Sequence, residues 1–204
     1  MKNRLLQDTL DLMRLPGLSG HEDRVRREIR KRLSDIEVES KTDRLGNLTA
    51  YFPGDGPSVM LFAHMDQLGF IVRKIEDNGM IRLARLGGVP ERALAAQEIV
   101  ICVPTGRDIT GIIVNKSHHA TSGDEKYQVV LSDDLYVDVG MASSMAVRAA
   151  GIRIGAPVVY APYAHVLGED RIVGTSVDDR AACAVLLEMA RLLKARTGGP
   201  PVHL

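Results

Sequence analysis

One stretch, Val59-Met60-Leu61-Phe62-Ala63-His64-Met65-Asp66-Gln67-Leu68-Gly69-Phe70, constrains this chain more than any other: an apolar run that ends in a His and an Asp one residue apart. An uninterrupted apolar segment bounded by Pro and Gly reads as a strand buried on both faces, which belongs in an α/β layer. Sites in such layers lie at the carboxyl ends of the strands, where His64 and Asp66 stand. An imidazole can bind a metal through one nitrogen while a nearby carboxylate fixes the ring, so His-x-Asp suits a metal site. The plainer alternative is a buried His bonded to backbone beside a solvated Asp.

A second stretch shifts that balance: Gly174-Thr175-Ser176-Val177-Asp178-Asp179-Arg180-Ala181-Ala182-Cys183-Ala184-Val185-Leu186-Leu187-Glu188-Met189. Two carboxylates and an Arg stand at the mouth of an apolar helix. Capping of the free N–H groups and the helix dipole account for one Asp, less well for two plus an Arg. A carboxylate can bridge two divalent cations roughly 3.5–4 Å apart. Asp178 is the candidate for that role.

The 204 residues allow one large or two small domains, and 45% hydrophobic residues is ordinary for a globular protein. Lys plus Arg and Asp plus Glu both number 26, so the formal charge is zero and points to neither nucleic acid nor an anionic membrane. A small molecule or another copy is the expected partner. Cys102 and Cys183 are too few and too far apart for a disulfide framework, and read as buried thiols. No apolar run has the length of a membrane span and no secretory leader opens the chain, which implies a cytoplasmic protein.

Along the chain, Leu5, Leu6, Leu10 and Met13 give a helix from Lys2 to Leu15, closed by Pro16-Gly17. Ser19 and Glu22 match a capping box for the next helix, which carries Val25, Ile29 and Leu33 on one face and an Arg-rich solvated face opposite. Short strands flank the turn Asp43-Arg44-Leu45-Gly46-Asn47. After Asp66 the pattern becomes antiparallel β, with a hairpin turn at Asp77-Asn78-Gly79, further strands near 98–103, 109–115, 135–139 and 157–161, and a helix over 142–149. Residues 68–164 therefore read as a mostly β domain inserted into an α/β one. His118, His119 and His165 lie outside any chemical pattern and are left out of the site. From 181 to 193 the helix is apolar almost all round, as if buried against a sheet. Val202-His203-Leu204 opens a strand expected to continue past the last residue.

The His-Met-Asp-Gln-Leu-Gly-Phe and Ser-Val-Asp-Asp-Arg-Ala-Ala stretches together resemble the deblocking, glutamyl and TET-type family of dinuclear metallo-aminopeptidases. Leu15-Pro16-Gly17-Leu18-Ser19-Gly20-His21-Glu22 and Asp43-Arg44-Leu45-Gly46-Asn47-Leu48 look like that family too, in the same order. The resemblance implies a zinc-peptidase-like α/β sandwich layer, incomplete within these residues and formed by 1–67 and 165–204. It makes residues 68–164 a PDZ-like dimerisation domain, and so a homo-oligomer. It also implies two divalent ions, Zn²⁺ or Co²⁺, and peptide substrates cut at their N-termini. By residue, His64 matches a metal ligand, Asp178 the bridging ligand, and Asp66 the carboxylate of the catalytic apparatus that supports the imidazole. The general base, a Glu, and the remaining ligands should follow the strand opened by Val202, so these 204 residues alone are expected to hold metal weakly and to be inactive. Two other readings compete: a non-catalytic self-associating or peptide-docking module, and a related metal-dependent carboxypeptidase or deacylase.

Overall fold

The computed structural model describes residues 2–204 and divides them into two compact units. One comprises the chain up to Gln67 together with Pro162–Leu204; the other is Leu68–Ala161.

The first unit begins with helices α1 (Lys2–Met13) and α2 (Asp23–Asp35). The face of α2 marked by its apolar spacing is the buried one, with Val25 at 0% and Leu33 at 5% exposure. The expected capping box is absent: Glu22 is the N-cap but makes no side-chain cap bond, and Ser19 Oγ donates to Asp66 instead. Its arginines are only partly solvated, since Arg32 reaches Asp8, Asp11 and Glu28. Strands β1 (Ser40–Thr42) and β2 (Leu48–Phe52) pair antiparallel across the expected turn. Asp43 organises that turn by accepting from the N–H groups of Leu45 and Asn47, each at 2.9 Å.

The sheet of this unit runs β1-β2-β12-β3, with β3 (Val59–Met60) at one edge and β12 (Val202–His203) inside. β12 is antiparallel to β2 and parallel to β3, and the parallel ladder extends to Leu61, whose N–H donates to the His203 carbonyl at 2.9 Å. The expectation of a strand buried on both faces is therefore corrected. Met60, in the edge strand of the sheet that these residues form, is 68% exposed, and Phe62 just after it 86%. Apolar sequence specifies a surface that can be buried, not the element that buries it.

Helix α4 (Val177–Ala195) packs Cys183, Ala184, Leu187 and Ala190 into the core with Leu12, Val25 and Phe52. Its burial is one-sided, since Val185 and Leu192 are both 46% exposed. Strands β10 (Ala164–Leu167) and β11 (Arg171–Gly174) form a separate hairpin. Ala164 pairs with Gly174 and packs with Leu10 and Met13, which places 162–164 in this unit and not in the insert.

The second unit is a closed six-stranded barrel in the order β4-β5-β8-β7-β6-β9, every pairing antiparallel. Its strands are β4 (Gly69–Ile75), β5 (Ile81–Leu86), β6 (Glu98–Ile101), β7 (Ile109–Val114), β8 (Tyr136–Asp138) and β9 (Pro157–Tyr160), with helix α3 (Ser144–Ala149) between the last two. Alternation along the strands sends Phe70, Val72, Ile81, Ile99, Ile101 and Val158 inward, all at 1% exposure or less. At the β4–β5 turn Gly79 has φ 88°, and a Cβ there would fall 1.9 Å from the Met141 carbonyl oxygen, so only glycine fits. Cys102 is half-buried, less enclosed than its apolar neighbours imply. Among the described residues no helix is long and apolar enough to cross a membrane.

Candidate metal centre

The site assembles at the end of β3 and the start of α4, both in the first unit. After Leu61 the chain leaves the sheet, and His64 projects with its side chain 56% exposed. Its Nδ1 lies 2.9 Å from Asp66 Oδ1, and its Nε2 lies 3.0 Å from Asp178 Oδ1. The three residues singled out by the sequence thus meet, although Asp178 lies 114 positions from His64. His118, His119 and His165 are not among them.

Neither aspartate at the start of α4 caps it. Ser176, the N-cap, has a left-handed φ of 62° and makes no side-chain cap bond. Asp178 and Asp179, joined by a cis peptide bond, have non-helical dihedrals, and regular helix follows them. Both carboxylates are therefore free of the helix N–H groups. His64, Asp178 and Asp179 each offer a donor atom within 4.8 Å of the others.

The protonation of His64 decides what this corner can hold. Burial disfavours its charge, but hydrogen bonds to Asp66 and Asp178 outweigh that and raise its pKa. If Nδ1–H donates to Asp66, a neutral ring presents only a lone pair at Nε2, aimed at a second acceptor on Asp178. Two acceptors 3.0 Å apart need a proton or a cation between them. An imidazole nitrogen with carboxylate oxygens is a donor set suited to Zn²⁺ and related divalent ions. The fit is therefore chemical as well as geometric.

Asp66 is held in turn. Burial raises its pKa, and bonds from Ser19 and His64 overcome that and leave it lowered, so it stays anionic to orient the ring. Behind it lies Arg180, fully buried, donating to the Leu12 carbonyl at 3.0 Å and to Gln67 Oε1 at 3.4 Å, with Nε unpartnered. Burial pulls its guanidinium down to about 10, opposed by Cys183, Asp66 and Glu22, so it remains charged at neutral pH. Gly17 makes room for it: a Cβ there would lie 2.5 Å from Arg180 Nη2. The Cys183 thiol, pushed up to about 11 by burial, donates to the His64 carbonyl at 3.3 Å and is inert as a nucleophile.

Sequence reasoning gave no role to Ser19, Gln67 or Asp179 here. Ser19 has the spacing of a helix cap, which hid its bond to Asp66. Gln67 carried one usable signal, a polar residue inside an otherwise apolar strand exit. Asp179 was visible as the second carboxylate that capping did not need.

A strand end that presents His-x-Asp to a paired Asp on a helix start, within an α/β layer interrupted by a barrel, defines a peptidase-type unit. The chain belongs to the M42 glutamyl aminopeptidase family, whose model matches residues 46–203. It is 35% identical over 189 residues to the putative aminopeptidase SgcX of Escherichia coli K12, covering 91% of this chain and 50% of that protein. It is 34% identical over 179 residues to the lysyl aminopeptidase of Pyrococcus furiosus, covering 87% and 52%. Among solved structures, the Pyrococcus horikoshii TET1 peptidase, described as assembling into a tetrahedron or a large octahedral shell, superposes with a TM-score of 0.87 at 26% identity, covering 98% of this chain and 59% of that one. The chain spans about half the length of the curated relatives it matches.

Proposed function

We propose that this chain supplies one wall of a dinuclear metal site that removes N-terminal residues from peptides. His64 Nε2 and Asp178 would hold the ions, with Asp178 as the ligand shared between them, and Asp66 would hold the imidazole. Divalent ions held there, Zn²⁺ or Co²⁺, supply Lewis acidity toward a peptide carbonyl and the water that attacks it. The chain's own contribution is orientation: Ser19 fixes Asp66, Asp66 fixes the His64 tautomer, and Asp178 stands across the lone pair that remains. The observation that carries the reading is the convergence of His64 Nε2 and Asp178 Oδ1 at 3.0 Å with Asp179 beside them, a nitrogen and carboxylate set that would suit a divalent ion.

The same reading makes the barrel a PDZ-like dimerisation domain and the protein a cytoplasmic homo-oligomer. The TET1 peptidase, described as assembling into a tetrahedron or a large octahedral shell, supports the homo-oligomer. It also puts the water-activating base and further ligands in the part of the relatives that this chain does not match.

Calorimetric titration with Zn²⁺ tests it. The wild-type chain is expected to take up metal weakly. Asp178→Asn and His64→Ala should lower the affinity at least about tenfold, the scale of a lost ligand contact, and His118→Ala should leave it unchanged. No turnover of an aminoacyl-anilide is expected from these residues alone. Zn²⁺ uptake unaffected by Asp178→Asn would overturn the ligand assignment, and turnover abolished by that substitution would overturn the placement of the base elsewhere.

A further inference from the structure

Three segments of the first unit meet on Gln67, which is only 7% exposed. Its backbone N–H donates to the Gly17 carbonyl at 2.8 Å, and the residue pairs with Leu18 in an isolated parallel bridge, next to the Ser19 that bonds Asp66. Its side-chain oxygen accepts from Ser176 Oγ at 2.8 Å and from Arg180 Nη2 at 3.4 Å. One carboxamide oxygen thus takes a donor from either side of Asp178 and Asp179. It also directly follows Asp66, the carboxylate against His64 Nδ1.

The backbone around the two aspartates needs such an anchor. Ser176 has a left-handed φ of 62°, uncommon for a residue with a Cβ, and the dihedrals of Asp178 and Asp179 lie outside the helix. One backbone bond, from Arg180 N–H to the Ser176 carbonyl at 3.3 Å, spans the two aspartates, and the side-chain bonds to Gln67 hold the same two flanks.

We infer that Gln67 is a positioning residue: through Ser176 and Arg180 it sets the separation of His64 and Asp178, and with it the affinity of the cation site, without touching the cation. Its effect on metal rests on the function proposed above; its effect on the His64–Asp178 contact does not. An apolar side chain at this position would leave the Ser176 hydroxyl and the buried Arg180 guanidinium short of an acceptor, and buried donors left so drive local rearrangement. Partners that orient ligands tune metal affinity by roughly 10–100-fold.

The test compares Gln67→Met, of similar length with no acceptor, with Gln67→Glu, which keeps acceptor oxygens facing Ser176 and Arg180. The ¹⁵N resonances of the His64 ring in the metal-free chain report both contacts. In Gln67→Met the Nε2 signal should move to that of a ring without a partner there while Nδ1 is unchanged, and the Zn²⁺ dissociation constant should rise by about 10-fold or more. Gln67→Glu should restore both. A lowered melting temperature with His64 signals and Zn²⁺ affinity as in the wild type would reduce Gln67 to a packing residue and overturn the inference. Should Gln67→Met fail to fold, Ser176→Ala removes one donor only and should shift Nε2 in the same direction by less; no shift there overturns the inference equally. A wild-type chain that takes up no Zn²⁺ defeats the metal reading, and the His64 signals then decide the positioning role alone.

Discussion

The barrel and the α/β unit dispose of apolar surface in opposite ways. Each barrel strand has a neighbour on both sides and its centre is hydrocarbon, whereas the sheet of the α/β unit stops at β3 with Phe62 86% exposed. Among the described residues the buried charges, Asp8, Arg180 and Glu188, all lie in the α/β unit. Closure removes strand edges. An open sheet keeps ends and edges, and the unit that has them also holds the buried charges together with His64 and the two aspartates. Chemistry and imperfect burial occupy the same unit.

The largest effect that tests this contrast is expected in the barrel. Ile99→Ala, at a residue with no exposure, should cost about 3 kcal/mol, within the range for emptying an isoleucine site in a tight core. Urea titration followed by hydrogen exchange of peptides from 68–161 would read it. A shift confined to those peptides sharpens the contrast, and an equal shift throughout would make the two units one cooperative body.

A smaller effect is expected from the charges under α4. Arg4 donates to both Glu188 oxygens, at 2.7 and 3.0 Å, and Arg191 to one at 3.0 Å. The Arg4 bond holds the Glu188 carboxyl below the usual range, burial opposes it, and Arg191 adds to the lowering. A depressed carboxylate stabilises the fold above its unfolded pKa, about 4.3, and that contribution is lost as pH falls through the folded value. Glu188→Gln should therefore lower stability at neutral pH by about 1 kcal/mol, the upper range for partly screened ion pairs. The difference from wild type should vanish in acid. Thermal midpoints across pH 2–7 check the sign, and a gap that widened in acid would refute it.

The smallest effect belongs to the edge itself. Phe62→Ser should change stability by less than about 0.5 kcal/mol, as at other exposed positions, yet reduce self-association measured by light scattering. A large destabilisation would mean that Phe62 is covered in solution, and that the units differ less than their exposures indicate.

The parts of this molecule written in local pattern were legible from sequence. Asn78-Gly79 marks its hairpin because the turn needs a residue at φ 88°, and Val25 and Leu33 mark the inner face of α2 by spacing alone. His64 and Asp66 could be picked out because they end an apolar run, and Asp178 because two carboxylates and an Arg exceed what a helix cap needs; the structure brings the three together. What depends on distant partners was not legible. The run before His64 looks buried because apolar sequence does not report which surface covers it, and Ser19 looks like a cap because nothing local reports Asp66. Closure of the insert into a barrel is likewise a property of β9 meeting β4, which no single strand encodes.

The position of β12 between β2 and β3 sets an order of events during synthesis. About 140 residues separate β12 from the strand it runs parallel to, and every barrel strand leaves the ribosome in that interval. At elongation rates of about 5–20 residues per second, β2 and β3 wait on the order of ten seconds for the strand that joins them. The barrel, whose partners are all contiguous in 68–161, can close meanwhile. The nascent chain therefore carries a finished module while β3 is still unpaired and β2 is paired with β1 alone, and those open edges are what a ribosome-associated chaperone would meet.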